Sequence, residues 1–160
     1  SNDSHAFTLS SGGAFLTLNN SGSGAQIIES GAINDTISAP LILADGLSTS
    51  VAGSLTISGS ISETGGTRSI TKTGAGSLFL SGNNSYTGTT VINVGIVSIS
   101  HANALGSTAG ATTIAATGNG TTGGRLFVSG NITVAENFII TGNTESAGFQ
   151  PAINNQAGSN

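Results

Sequence analysis

Residues 53–59 read GSLTISG, and nearly the same heptad returns as GSLFLSG at 76–82 and as GRLFVSG at 124–130. Apolar side chains occupy every second position of each copy, which is the pattern of a β-strand with one buried face. The copies begin 23 and then 48 residues apart, and GIVSIS at 95–100 lies between the last two. These intervals predict an irregular repeat of roughly 19 to 27 residues.

The composition excludes several classes of protein. Gly accounts for 25 of the 160 residues, and there are 7 acidic and 3 basic residues, with a net charge of −4. So few cations and a single Tyr argue against a nucleic-acid-binding surface. The absence of Cys rules out disulfides and thiolate metal sites. The sequence contains no apolar run long enough to predict a membrane span, so we expect no membrane insertion by this segment.

Short alternating strands separated by Gly, Asn and Ser turns predict an all-β fold. An antiparallel β-sandwich also uses many short strands. The near-identical heptads and the scarcity of charges to protect sheet edges instead favour a parallel β-solenoid, in which each turn of chain, or rung, stacks on the previous one. We expect roughly seven rungs at about 4.8 Å per rung. One interior column is predicted to contain Leu78, Leu80, Val97, Ile99, Leu126 and Val128.

The clearest repeat, residues 70–107, reads ITKTGAGSLFLSGNNSYTGTTVINVGIVSISHANALGS. It resembles the autotransporter-associated β-strand repeat of Gram-negative surface proteins. The family's motif is matched by an opening at 72–76 (KTGAG), a strand with Leu78 and Leu80, and a closing Ala-Leu-Gly at 104–106. Its Gly-x-Asn-x-Tyr-x-Gly turn is matched by Gly82, Asn84, Tyr86 and Gly88.

This resemblance implies a right-handed, single-stranded parallel β-helix exposed outside the cell after export through the outer membrane. Residues 1–160 would then form a β-solenoid segment of a longer passenger, with no barrel or translocator domain present. Passengers of this type include adhesins, autoaggregation proteins and carriers of enzyme domains, so the resemblance implies no single activity.

The acidic residues are candidate catalytic groups because parallel β-helices also include polysaccharide lyases and glycosidases, which use paired carboxylates or bound calcium. Asp35 with Asp45, or Asp45 with Glu63, would be neighbours if they lay one rung apart. Because the acids are scattered singly, they are predicted to be solvated turn residues instead, and His5 and His101 lack an acidic or Cys partner at the sequence spacing of metal ligands. We therefore expect no catalytic residue, metal site or cofactor. The acids considered are Glu29, Asp35, Asp45, Glu63, Glu136 and Glu145.

Other polar residues have structural or binding interpretations. Lys72, near Arg68, is expected to serve a turn or to pair with Glu63. Tyr86 is expected to pack over a rung, with ligand stacking as the alternative. Outward hydroxyls are candidates for a glycan-binding or ice-ordering face, although a strict Thr-x-Thr column is absent; they are Thr56, Ser58, Ser98, Ser100 and Thr133.

The predicted function is a non-enzymatic, extracellular stalk that extends a surface protein and adheres to host or environmental glycans or to other copies. The alternative is a polysaccharide-binding or polysaccharide-degrading β-helix protein. Residues 7–9 read as a strand and residues 150–160 as the start of another unit. We therefore expect the segment to continue into further rungs or to stack end to end.

Overall fold

A computed structural model describes residues 6–31, 33–117, 122–142 and 151–156. The described residues form strands and turns and contain no helix. The strands are β1 (Thr8–Leu9), β2 (Leu16–Leu18), β3 (Ala25–Glu29), β4 (Asn34–Ile37), β5 (Leu41–Leu43), β6 (Leu47–Val51), β7 (Ser54–Ile57), β8 (Ile61–Glu63), β9 (Ile70–Thr73), β10 (Ser77–Leu80), β11 (Thr90–Ile92), β12 (Gly95–Ile99), β13 (Ala111–Ala115), β14 (Gly124–Ser129), β15 (Asn137–Thr141) and β16 (Ile153–Gln156).

These strands stack into three parallel sheets around a common interior. Sheet A has the order β1-β4-β7-β10-β12-β14-β16, sheet B β2-β5-β8, and sheet C β15-β13-β11-β9-β6-β3. As far as β8 the chain visits the three sheets in rotation, and each strand inside a sheet pairs with strands of the rungs on either side. The protein is therefore a parallel β-solenoid, which confirms the predicted fold class, with about six turns where roughly seven rungs are predicted.

The repeated heptads pair in register in sheet A. Leu78 lies between Leu55 and Val97, and Leu126 follows on the next strand. Leu80 likewise lies between Ile57 and Ile99. The predicted interior column is confirmed, since Leu78, Leu80, Val97, Ile99 and Leu126 are buried and Val128 packs partly buried against them.

Rung length varies without disturbing this register. Phe79 pairs with Ser98, 19 residues later, whereas Ser98 pairs with Phe127, 29 residues later. The paired strands keep their register although the intervals differ, so the sheets remain aligned. The N-terminal Phe7–Leu9 prediction corresponds to β1, and β16 adds a strand within the predicted unit at 150–160, part of which lies outside the described residues.

The third side of the coil changes character after β8. Beyond β8 a turn replaces sheet B, and the Ser85 amide still donates to the Ile61 carbonyl at 2.8 Å. Buried Tyr86, Ala104 and Leu105 fill the interior there. The motif at 82–88 therefore serves as a corner that continues the hydrogen-bond ladder without a regular strand.

Candidate functional site

Three carboxylates accept hydrogen bonds from backbone amides of a neighbouring rung. Glu29 accepts from the Gly53 amide at 2.6 Å, and Asp35 accepts from the Phe7 amide at 3.1 Å. Asp45 accepts from the amides of Asn20 and Gly22. The interpretation as solvated turn residues is wrong for Glu29 and Asp45, which are buried because these bonds draw them into the corners.

Glu63 joins two rungs through different donors. It accepts from the Arg68 amide at 2.7 Å and from the Thr87 hydroxyl at 2.5 Å. Burial opposes ionisation of Glu63, but hydrogen bonds from Thr87 and Arg68 outweigh it and lower its pKa. The Arg68 side chain donates to the carbonyls of Thr64 and Gly65 in its own loop.

The two predicted acidic juxtapositions have different outcomes. Asp35 lies in sheet A beside Leu55, away from the Asp45 corner. Glu63 pairs with Leu43, two residues before Asp45, so Asp45 and Glu63 belong to adjoining rungs. Backbone hydrogen bonds from Asn20 and Gly22 lower the pKa of Asp45, as bonding lowers that of Glu63. Both are therefore ionised acceptors at neutral pH, whereas a general acid needs a raised pKa.

Among the acids of the described residues, Glu136 has a raised pKa. Burial is the main cause, and the hydrogen bond from the Thr112 hydroxyl, at 2.6 Å, partly opposes it. The described residues contain no group of His, Asp and Glu side chains arranged to hold a metal ion. His101 Nδ1 accepts from the Asn103 amide at 3.1 Å, and His5 and Glu145 lie outside the described residues.

Lys72 is fully buried inside the coil. Its Nζ donates to the carbonyl oxygens of Thr73 and Gly74, both at 2.7 Å, and of Val94 at 3.2 Å. The turn role is confirmed, but the expected pairing with Glu63 is wrong because the ammonium is satisfied by these carbonyls. Burial lowers the pKa of Lys72 to about 8. Gly95, with φ +79°, passes so close that a Cβ there would meet the Lys72 Nζ at 2.9 Å.

Tyr86 and Asn84 form the interior of the motif corner. The Tyr86 hydroxyl lies 2.7 Å from the Thr90 hydroxyl, and the ring is fully buried, which confirms packing over a rung. Burial raises the pKa of Tyr86. Asn84 accepts from the Ile61 amide at 2.8 Å and donates to the Ala104 carbonyl at 2.6 Å. Asn84 therefore joins the rungs on either side, a role that its place in the motif did not reveal.

Of the predicted outer hydroxyls, only Ser98 is buried. Thr56 is half-buried and Thr133 is exposed outside the strands, whereas Ser58 and Ser100 are exposed at strand ends. Extending the register by one residue past the last paired positions carries these two into a column along one edge of sheet A. We call this column the serine ladder; it is formed by Ser38, Ser58, Ser81, Ser100 and Ser129. On sheet C, Ser48 and Ser50 pair with Thr71 and Thr73 to make a second hydroxyl surface.

Beside the serine ladder lies an apolar feature that the sequence interpretation missed. Ser98 pairs with Phe79 on one side and Phe127 on the other, and it is only 7% exposed between them. The Arg125 guanidinium carbon lies 5.9 Å from the centre of the Phe127 ring. We call Phe79, Ser98, Phe127, Ile96 and Arg125 the aromatic strip. The sequence signal of this strip is the Phe in the middle of the two later heptads, at the position that Thr56 occupies in the first copy.

Two shallow surface cavities have neutral linings. A groove of about 200 Å³ runs beside β3 and β6 and is lined by Gly, Ser and other uncharged residues. Another, of about 290 Å³, lies around Leu9, Phe15 and Ala39. Neither is lined by a titratable side chain, so neither has the groups for acid–base chemistry.

The geometry defines a class of protein: a parallel β-solenoid whose rungs are joined by buried polar side chains. Within it, residues 70–99 match the family model of the passenger-associated-transport-repeat. This segment contains Lys72, Asn84, Tyr86 and Gly95, so the repeat consists of the two rungs with these interior contacts. The match supports an autotransporter passenger and confirms the resemblance.

The other comparisons add no relatives. No curated protein and no solved structure matches the chain. None of the residues that the structure describes belongs to a helix long and apolar enough to cross a membrane. The passenger repeat implies export to the cell surface.

Proposed function

We propose that this chain is a non-catalytic stalk segment of an exported surface protein, and that its outer faces adhere to surfaces or to other copies. The observation that carries the proposal is that the charged side chains are engaged in hydrogen bonds within the chain. Every charged side chain of the described residues except Arg125 accepts or donates a hydrogen bond that holds a rung or a corner. These groups support the rod and leave its faces largely neutral.

A rod of this type can be lengthened without changing the contacts that hold each rung. Each rung contacts only its neighbours, so added rungs extend the structure without a new core. Sparse surface charge reduces the repulsion that would otherwise keep copies and surfaces apart. Extension and adhesion therefore follow from the same features.

Beads coated with the 160-residue chain test the proposal. We expect them to aggregate with one another or to attach to polysaccharide-coated glass, whereas beads coated with a soluble monomeric protein do neither. We also expect no turnover of acidic or neutral polysaccharides, with or without calcium. Inert beads would overturn the adhesive role. Turnover lost in Asp35→Asn, Asp45→Asn or Glu63→Gln would show an enzyme instead.

A further inference from the structure

The outer face of sheet A combines aromatic rings, hydroxyls and one cation. Phe79 is 40% exposed, and Phe127 stands two rungs away with Ser98 covered between them. The serine ladder runs alongside, one hydroxyl per rung. The charged residues in the described strands of this sheet are Asp35, which takes an interior register position beside Leu55, and Arg125.

Arg125 has unused hydrogen-bonding capacity. Its guanidinium is held over the Phe127 ring, and its Nε is buried without a hydrogen-bond partner. A guanidinium donates most strongly to a carboxylate, which it binds through two parallel hydrogen bonds. The chain has a net charge of −4. The outer face of sheet A nevertheless carries this cation and, in its described strands, no outward-facing acid.

The repeat distance of the face fits an extended sugar chain. Neighbouring rungs are about 4.8 Å apart and the two rings about 10 Å apart along the rod. One rung is thus close to the rise of one residue in an extended 1,4-linked polysaccharide. The electron-rich faces of aromatic rings attract the C–H face of a pyranose, and serine hydroxyls exchange hydrogen bonds with sugar hydroxyls.

We propose that the aromatic strip and the serine ladder bind an extended, uronic-acid-containing polysaccharide lying along the rod. Phe79 and Phe127 contact alternate sugar rings, and Arg125 binds a carboxylate. A second copy fits less well, because the described strands of sheet A place no carboxylate on their outer face to meet the Arg125 of the other copy. The inference rests on the proposed adhesive function and specifies its ligand.

Titration calorimetry with the full 160-residue chain tests this binding. The probes are β-1,4-linked hexamannuronate and β-1,4-mannohexaose, which differ in the carboxylates. We expect the acidic hexamer to bind about tenfold more tightly, because only its carboxylates can form a charge-assisted hydrogen bond with Arg125. Added salt should weaken binding of the acidic hexamer and leave the neutral one unchanged.

Variants separate the contributions of charge and rings. Arg125→Gln should abolish the preference for the acidic hexamer. Phe79→Ala and Phe127→Ala should weaken binding of both hexamers about fivefold, as for a moderate interface contact. Phe15→Ala is the matched control, because Phe15 is 64% exposed and lies outside the strip. If Phe127→Ala fails to fold, Phe127→Leu keeps the apolar cover and removes the ring.

Several outcomes overturn the inference. They are no binding of either hexamer, a preference that survives Arg125→Gln, or equal loss in Phe15→Ala and Phe79→Ala. Sedimentation that shows a dimer abolished by Phe79→Ala would assign the strip to a contact between copies. In that case the coated beads would still aggregate, so the inference would fail while the proposed adhesive function stood.

Discussion

Asn84→Ala removes a side chain that serves two rungs at once. Asn84 is 3% exposed, accepts from the Ile61 amide at 2.8 Å and donates to the Ala104 carbonyl at 2.6 Å. The variant leaves one buried donor and one buried acceptor without these partners. Each such group costs about 1–3 kcal/mol, so we expect the free energy of unfolding to fall by about 2–6 kcal/mol.

The neighbouring residue is a matched control. Asn83 is exposed and accepts from the Asn103 side chain at 2.9 Å, so water replaces the partner that Asn83→Ala removes. This variant should change stability by less than about 1 kcal/mol. Guanidinium denaturation followed by circular dichroism measures both variants.

Amide hydrogen exchange supplies a local measurement, which matters because stacked rungs need not unfold in one step. In Asn84→Ala the Ile61 amide should exchange much faster than in the parent. The Ser85 amide, which donates to the Ile61 carbonyl, should change less. Equal destabilisation by the two alanine variants, or unchanged protection of Ile61, would refute the role assigned to Asn84.

Three further predictions concern the interior. Leu80→Asp should cost about 3–5 kcal/mol by burying an unpaired charge, whereas Ser81→Asp on the exposed serine ladder should be tolerated; equal denaturation midpoints would contradict the alternation. Stability should rise as pH increases from about 8 to about 10, because unfolded Lys72 keeps a proton that the folded residue loses. Above about 10 the trend should reverse, because unfolded Tyr86 loses a proton that the folded residue keeps. Melting temperatures that follow pH in the same way in the parent and in Lys72→Met would contradict the contribution of Lys72. Gly95→Ala should destabilise by about 2 kcal/mol or more, because its positive φ and contact with Gly76 exclude a side chain; an unchanged melting temperature would contradict that crowding.

The sheet A register could be predicted from the sequence, because alternation and repeat offsets are local signals. Leu55, Leu78 and Leu126 occupy the same place in each heptad, and the structure stacks them as expected. Burial of Glu29 and Asp45 could not be predicted this way. Their amide donors, Gly53 and the loop at 20–22, belong to other rungs, and the corner that brings them close depends on rung length.

Prediction of the candidate site from the sequence is limited in the same way. Composition pointed to hydroxyl faces, but the register decides which hydroxyls share a column. Ser98 was expected outside and is covered, because the two strands that flank it both place Phe beside it. For Lys72 the sequence leaves open a turn role or a pairing with Glu63, and the structure selects the turn role, because three corner carbonyls accept hydrogen bonds from its ammonium.

Unequal rungs joined by ladders have a mechanical consequence. The backbone hydrogen bonds between rungs run along the rod, so a lengthwise pull loads one rung boundary after another. A rung of 19 to 29 residues contributes about 4.8 Å to the rod and about 60–100 Å when stretched out. Under tension, a tether of this design would lengthen in discrete steps. Each step would dissipate energy and lower the force on an attachment at its far end before that attachment broke.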